Sequence, residues 1–184
     1  MKHIMIDLET LGVNPGCVVL SIGACVFDRE TVSDTFTVDL DVTDQTNHGL
    51  AIEGATLEWW LGNKLQIAGR FNVNLPAMAL TELRSWLVEH RKTNQLRIWA
   101  NSPMFDMAIL EALWWCYHRE SYYEEHKLPW SYWELRDYRT AVHCLDKPFK
   151  SIKPKSVAHR ALQDAVDQAQ LLINHGFFKR YTEE

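Results

Sequence analysis

Three strand-like segments come before any helical pattern, and this order restricts the fold more than any other feature of the sequence. They are short apolar runs with β-branched residues: His3–Leu8, Val18–Phe27 and Thr31–Leu40. A polar run at positions 28–30 separates the second from the third and predicts a turn between paired strands. Because strands joined by short turns pair antiparallel, we expect an antiparallel meander at the start of the domain.

The rest of the sequence alternates helical and strand-like patterns. The strongest helix is Pro76–His90, where proline suits the first turn and apolar residues recur at helical spacing, namely Leu80, Leu83, Trp86 and Leu87. The other predicted elements are a helix Thr56–Leu61 with Thr56 as a possible N-cap, a strand Leu96–Ala100, a central helix Pro103–Tyr117, a strand Trp130–Leu135, a short helix or turn Arg136–His143, and a last helix Ser156–Asn174 ended by Gly176. This order predicts an α/β domain with a mixed sheet.

Composition favours an acidic single-domain protein. The 184 residues fit one domain, 1–184, and 47% of them are hydrophobic. The formal net charge of −5 disfavours a protein that coats nucleic acid, since phosphate affinity comes mainly from lysine and arginine. It counts less against a metallonuclease, whose carboxylates hold cations. Four scattered cysteines and an N-terminal apolar run too short for a signal peptide predict reduced thiols and a cytoplasmic location.

Two carboxylates stand at the end of the first predicted strand. Alternate residues of a strand share a face, so Asp7 and Glu9 point to one side and Leu8 to the other. Two like charges at the end of an apolar strand repel, and a divalent cation would offset that cost. The alternative is that the strand ends at the protein surface, where both carboxylates are solvated.

Two further acidic positions lie far along the chain. Asp106 follows the predicted strand ending at Ala100, although acids also favour a first helical turn through the helix dipole. Asp164 lies within the last predicted helix, five residues after His159. A solvated helix carboxylate is the ordinary alternative for Asp164, as it is for Asp167.

Together these segments supply the groups that two-metal phosphodiester hydrolysis requires. Carboxylate oxygens suit Mg²⁺ or Mn²⁺. Two ions about 3.5–4 Å apart can activate a water and stabilise the leaving 3′ oxygen. A neutral histidine can accept the proton of that water.

The segments IDLET, NSPMFD and HRALQDA resemble the three motifs of the DEDDh exonucleases, a branch of the ribonuclease H-like superfamily. Asp7 and Glu9 match the first motif, Asp106 the second, and His159 and Asp164 the third with its H-x₄-D spacing. The three motifs lie in the family's order and span nearly the whole chain. All five family positions are filled.

Further positions narrow the resemblance. Arg160 occupies the position where the sister branch of the superfamily carries tyrosine. The segments TLEWW and RDYRT are similar to segments of the small bacterial and phage exonucleases related to ribonuclease T. The resemblance implies a ribonuclease H-like fold whose five- or six-stranded sheet is flanked by helices. It also implies two Mg²⁺ or Mn²⁺ ions, action on single-stranded DNA or RNA 3′ ends, release of 5′-mononucleotides and, in many members, a homodimer.

Residues beside the motifs are candidates for substrate contact. They are Thr10 and Leu11 after the first motif, Asn101 and Phe105 in the second, and Trp59 and Trp60, which could stack on bases. Because adjacent helical residues point about 100° apart, at least one of the two tryptophans is expected in the core. We assign Trp114 and Trp115 to the core or to a subunit interface.

Other residues beside the motifs have two interpretations. Asp137 is either a further site carboxylate or an ion-pair partner of Arg136 or Arg139. The basic residues Lys150, Lys153, Lys155 and Arg160 either guide the phosphate backbone or form a solvated loop.

Three alternatives to an exonuclease are weighed at the level of sequence. Nucleases of the same fold that cleave at internal sites are the main enzymatic rival, and a general-base histidine in the third motif argues against them. A non-catalytic nucleic-acid-binding or interaction module on the same fold would be expected to lose one or more carboxylates, whereas none is lost here. A structural metal protein does not account for His159. The sequence does not distinguish DNA from RNA as the substrate.

Overall fold

In the part of the chain that the structure describes, five strands form one mixed sheet. The computed structural model describes residues 2–62, 73–91, 96–118, 127–145 and 160–180. The strands are β1 (His3–Thr10), β2 (Val19–Phe27), β3 (Val32–Asp39), β4 (Ile98–Ala100) and β5 (Leu135–Asp137). Their order across the sheet is β3-β2-β1-β4-β5. The first three pair antiparallel, while β4 runs parallel to β1 and β5 parallel to β4. The predicted meander and the predicted mixed sheet are therefore confirmed.

Seven helices surround the sheet in the described part of the chain. They are α1 (Val42–Asn47), α2 (Gly54–Gly62), α3 (Pro76–His90), α4 (Asp106–His118), α5 (Tyr138–His143), α6 (Ala161–Asn174) and α7 (Phe177–Arg180). The predicted bounds of α3 are confirmed. Gly176 has a φ of 65°, as expected for a residue that ends a helix. Within the described ranges, none of these helices is long and apolar enough to span a membrane.

Several predicted boundaries were wrong. Helix α2 begins at Gly54, so Thr56 lies inside the helix and does not cap it. The segment predicted as a strand at 130–135 contains a 3₁₀ turn, Tyr132–Glu134, and the strand follows it at 135–137. The buried Glu134 explains this difference, because it accepts hydrogen bonds from Arg91 Nη1 at 2.7 Å and from the Ser131 N–H at 2.8 Å. Helix α1 was not predicted at all.

The last long helix also starts later than the sequence predicts. Arg160 has an extended backbone, with φ −128° and ψ 108°, so the helix begins at Ala161 and cannot run unbroken from Ser156. Residues 156–159, which include Val157 of the predicted apolar face, lie outside the described residues. The rest of that face is buried as expected, with Ala165, Ala169 and Leu172 fully covered.

Hydrophobic cores cover both faces of the sheet. One face packs α3 and α4 against alternate residues of β1 and β2 that include Ile4, Ile6 and Leu8. The other face packs α5, α6 and α7 against Met5, Cys25 and Phe27. Because both faces are covered, β1 and β2 are buried along their whole length. The central strand β1 thus ends inside the protein, between two helical layers.

Candidate active site

The carboxyl end of β1 carries two acidic side chains on the face that α6 covers. Leu8 packs in the opposite core, as the alternation of a strand requires, and Asp7 and Glu9 therefore share the α6 side. Both are buried, with 9% and 6% of their surface exposed. The pairing with β2 changes register here, since Glu9 pairs with Ser21 and Thr10 with Val19. Such irregularities change the direction in which side chains point and often lie beside active sites.

A glycine on β2 allows α6 to approach this end of the sheet closely. Gly23 pairs with Asp7 in the β1–β2 ladder. A Cβ atom on Gly23 would lie 2.0 Å from the backbone nitrogen of Leu162 and 2.1 Å from the carbonyl carbon of Ala161. The first turn of α6 therefore rests directly on the strand, where no side chain fits between them. That contact brings Asp164, which lies in the same first turn, to the acidic end of β1.

Asp7, Glu9 and Asp164 form a compact group of carboxylates. Each offers one oxygen, and these three oxygens lie within 4.8 Å of one another. Burial raises the pKa of Asp7 well above its usual value, and the charges of Asp106, Glu9 and Asp164 raise it further. An all-oxygen donor set matches the preference of Mg²⁺ and Mn²⁺. The group is thus suited to a divalent cation, which would offset the mutual repulsion of the carboxylates.

Asp106 stands at the start of α4, beside this group but not within it. It is 3% exposed, and its Oδ2 accepts a hydrogen bond from the Ser102 N–H at 3.3 Å. Burial raises the pKa of Asp106 to about 6, while the backbone N–H groups of Ser102 and Leu8 oppose that rise. Its charge also raises the pKa of Asp7. The four predicted carboxylates therefore interact, although only three meet within one ligand-sized space.

Two residues near the site were not predicted from the sequence as site residues. The side-chain amide of Gln168 donates a hydrogen bond from Nε2 to Asp7 Oδ1 at 2.8 Å. The positive charge of Arg139, in the first turn of α5, lowers the pKa of Asp106 as a minor contribution. Gln168 follows Asp164 by four residues, and this helical spacing is the sequence signal that could have identified it.

The structure separates the two adjacent tryptophans of α2. Trp60 is 3% exposed, and its indole Nε1 donates a hydrogen bond to the Thr10 carbonyl at 2.9 Å. Trp59 is 43% exposed and meets the Trp60 ring edge-on at 5.0 Å between centroids. The prediction that at least one of them belongs to the core is confirmed. Trp60 fixes α2 to the end of β1, next to Glu9, and Trp59 is left at the surface.

The other predicted substrate contacts differ in accessibility. Leu11 is 5% exposed and belongs to the core, and the Thr10 hydroxyl donates a hydrogen bond to the Gly12 carbonyl at 2.6 Å. Asn101 is half-buried in the segment between β4 and α4. Phe105 is half-buried as well and packs against the core. Asn101 is therefore better exposed than Leu11 for direct contact with substrate.

The remaining candidates are only partly described. His159 and the lysines at 150, 153 and 155 lie outside the described residues, while Arg160 is exposed. Asp137 accepts a hydrogen bond from the Thr140 N–H at 3.2 Å and caps α5, a role that neither sequence interpretation included. Trp114 is fully buried, as predicted for a core residue, whereas Trp115 is 39% exposed.

Comparison with solved structures identifies the fold. The nuclease domain of 3′hExo, a DEDDh family member solved bound to rAMP, superimposes with a TM-score of 0.59 at 11% identity, over 94% of this chain and 90% of that one. Cell-death related nuclease 4 (CRN-4) gives a TM-score of 0.54 at 10% identity, over 94% of this chain and 62% of that one. The fold is therefore the ribonuclease H-like fold of the DEDDh nucleases.

Sequence comparison identifies the family. Curated protein sequences gave no significant match. The family model described as the 3′-5′ exoribonuclease Rv2179c-like domain matches residues 2–174, which include all three predicted motifs. The chain belongs to the Rv2179c-like 3′-5′ exoribonuclease domain family.

Proposed function

We propose that this nuclease removes nucleotides one at a time from the 3′ end of single-stranded RNA and releases 5′-mononucleotides. The observation that carries the proposal is the group formed by the buried Asp7 and Glu9 and the half-buried Asp164, with Asp106 beside it. RNA is favoured over DNA by the description of the family and by the ribonucleotide bound in the related 3′hExo domain. Retention of all four carboxylates favours catalysis over a binding module that keeps only the fold.

Divalent metal ions are part of the proposal. Asp7, Glu9 and Asp164 would hold one ion, and Asp106 together with Asp7 would contribute to a second. Bound Mg²⁺ or Mn²⁺ would lower the pKa of an attacking water and stabilise the negative charge that develops on the leaving 3′ oxygen. The chain itself contributes burial, which keeps bulk water away from the carboxylates and strengthens their attraction for cations.

His159 is proposed as the general base that accepts a proton from the attacking water. The support is the H-x₄-D spacing to Asp164 in the sequence. Replacement of His159 by alanine is expected to lower turnover by about 10²–10⁴-fold, the usual contribution of general base catalysis. Binding of Mn²⁺, measured by calorimetry, should remain within about twofold of the native protein, since His159 is not a proposed ligand. Loss of Mn²⁺ binding in this variant would show that the histidine acts in another way.

Trp59 is proposed as a stacking surface for a base near the 3′ end. Its exposed ring lies on a helix that Trp60 anchors to the end of β1. Because base stacking contributes ~1–3 kcal/mol, Trp59→Ala should raise KM for RNA about tenfold and lower the melting temperature less than Trp60→Ala does. Trp60→Ala removes a buried anchor and should instead destabilise the fold by about 3–5 kcal/mol. Equal effects of the two variants on KM and on stability would contradict the division of roles.

The test is degradation of 5′-labelled single-stranded RNA and DNA of matched sequence, with Mg²⁺, Mn²⁺ or EDTA. A metal-dependent ladder that shortens from the 3′ end, faster on RNA, is the expected result. Asp164→Asn should abolish the ladder while the circular dichroism spectrum stays native, and Asp167→Asn, three residues along the same helix, is the matched control. Full activity in Asp164→Asn would overturn the assignment. Binding of RNA without cleavage would favour the non-catalytic module.

A further inference from the structure

Gln168 is buried against the carboxylate group and makes one hydrogen bond there. It lies in α6 one turn after Asp164 and is 6% exposed. Its Nε2 donates to Asp7 Oδ1 at 2.8 Å. The other end of the same amide, Oε1, has no hydrogen-bond partner among the described residues. Burial of an unpaired amide oxygen opposes folding by roughly 1–3 kcal/mol, so packing alone does not favour glutamine over an apolar residue at this position.

The orientation of the amide follows from its partner. An ionised carboxylate only accepts hydrogen bonds, so the NH₂ end of Gln168 must face Asp7 and the oxygen must face away. The same bond opposes the rise in the pKa of Asp7 that burial and the neighbouring charges cause. A neutral donor is suited to this position, because it orients a carboxylate without cancelling the negative charge that attracts a cation. A lysine or arginine there would repel the ion.

We propose that Gln168 is a positioning residue for Asp7. Its amide occupies Oδ1 and thereby fixes the carboxyl plane, so that the remaining lone pairs of Asp7 face Glu9 and Asp164. The helical spacing of four residues places Asp164 and Gln168 on one face of α6. A single helix therefore supplies one ligand of the site and the hydrogen bond that orients another. This inference rests on the proposed metal-dependent function.

The first test measures Mn²⁺ affinity by isothermal titration calorimetry in the absence of RNA. Gln168→Met keeps the length and volume of the side chain but removes the donor. Partners that orient metal ligands typically contribute 10–100-fold to affinity, so Mn²⁺ should bind about 10–100-fold more weakly to this variant. Gln170→Met is the matched control, since Gln170 lies in the same helix and donates to Asn174 Oδ1 at 2.9 Å on the surface. Its Mn²⁺ affinity should stay within about twofold of native.

Further readouts separate positioning from a structural role. The metal-free melting temperature of Gln168→Met should stay close to native, because removal of the unpaired buried oxygen offsets the loss of the hydrogen bond to Asp7. On RNA, kcat should fall while KM stays unchanged. In the Asp7→Asn background, Gln168→Met should have no further effect on residual Mn²⁺ affinity, because the two residues act through one bond. Gln168→Ala, which only removes atoms, gives the same test if the methionine variant does not fold.

The outcomes distinguish this inference from the proposed function. Native protein that binds Mn²⁺, together with a Gln168→Met variant that binds it as tightly, would overturn the positioning role and leave the exonuclease intact. An equal loss of affinity in the Asp7→Asn background would also overturn it. Native protein that binds no Mn²⁺ would overturn the proposed function, and the role of Gln168 with it.

Discussion

The two faces of the sheet are packed in different ways. On one face, α3 and α4 bury large side chains such as Leu83, Leu87 and Trp114, all fully covered. On the other face, the start of α6 lies on the bare backbone of Gly23 and presents the small residues Ala161 and Ala165. The first arrangement buries much apolar surface. The second brings a helix close enough for Asp164 to meet Asp7 and Glu9.

The packing on the α6 face changes along β2. Gly23, Cys25 and Phe27 alternate on that face, and they pair with Asp7, Met5 and His3 of β1. Near the carboxylates the contact is glycine against helix backbone, and one turn later Cys25 Sγ donates to the Ala165 carbonyl at 3.6 Å. At the far end, the rings of His3, Phe27, Trp99 and Phe178 fill the layer. This face therefore loses apolar burial only where the site requires a close approach.

The largest effect is expected when the close approach is blocked. In Gly23→Ala the new methyl group would meet backbone atoms of Ala161 and Leu162, which cannot rotate away as a side chain can. Helix α6 must shift, and a displacement of about 1 Å in an active site can lower turnover 10²-fold or more. Exonuclease turnover and Mn²⁺ titration should both show this loss. Gly54→Ala is the matched control, because a Cβ at Gly54 meets nothing within 4 Å. Native turnover in Gly23→Ala would contradict the proposed importance of the contact.

A substitution in the core on the opposite face should change the stability of the protein and not its catalytic rate. Leu83 is fully buried between α3 and the sheet, so Leu83→Ala should lower the free energy of unfolding by about 2–5 kcal/mol. Since Leu83 is remote from the carboxylates, kcat per folded molecule should stay within about twofold of native. Urea denaturation and turnover on the same preparation would check both values. A large loss of kcat here would mean that the two faces are not independent.

The buried imidazole of His3, at the aromatic end of the α6 face, should make stability depend on pH. Burial lowers the pKa of His3 to about 4, and the charge of Arg97 contributes to this shift. Between about pH 6.5 and about pH 4 the unfolded chain binds a proton at His3 that the folded protein does not, so the contribution of His3 to stability falls as the pH falls, by roughly 3 kcal/mol in total. The raised pKa of Asp106 acts in the opposite direction over part of this range. His3→Gln retains an acceptor for Trp99 Nε1 but does not titrate, so the stability of the native protein relative to this variant should fall by roughly 3 kcal/mol over that range, as measured by urea denaturation.

Removal of one charge at the carboxylate end of the same face should stabilise the metal-free protein. In metal-free protein, Asp7→Asn relieves repulsion with Asp106, Glu9 and Asp164. The melting temperature should rise by about 2–4 °C for each kcal/mol of repulsion removed, although turnover is lost. Added Mn²⁺ should stabilise the native protein more than the variant. A lower melting temperature for Asp7→Asn without metal would show that the group is not under electrostatic strain.

Local patterns in the sequence were sufficient for much of the fold. The meander was predicted because apolar runs and a polar turn are local signals, and the bounds of α3 were predicted from its proline and its apolar period. The acidic positions were predicted because alternation along β1 places Asp7 and Glu9 on one face, and because the three motifs resemble those of the DEDDh exonucleases. Predictions failed where distant residues decide the local structure. Glu134, bound by Arg91, forms a 3₁₀ turn where a strand was expected.

The sequence by itself determined which residue types are available at the site: the carboxylates of three motifs and a histidine at the family spacing. Only the tertiary structure decided how they meet. Gly23 carries no side chain and so gives no signal of its own, yet the lack of a Cβ is what allows α6 to rest on the sheet. In the sequence, Gln168 is an ordinary helical residue. The contact between α6 and Gly23 places its amide on Asp7. Both effects depend on the distance between two elements far apart in the chain, a quantity that neither periodicity nor composition contains.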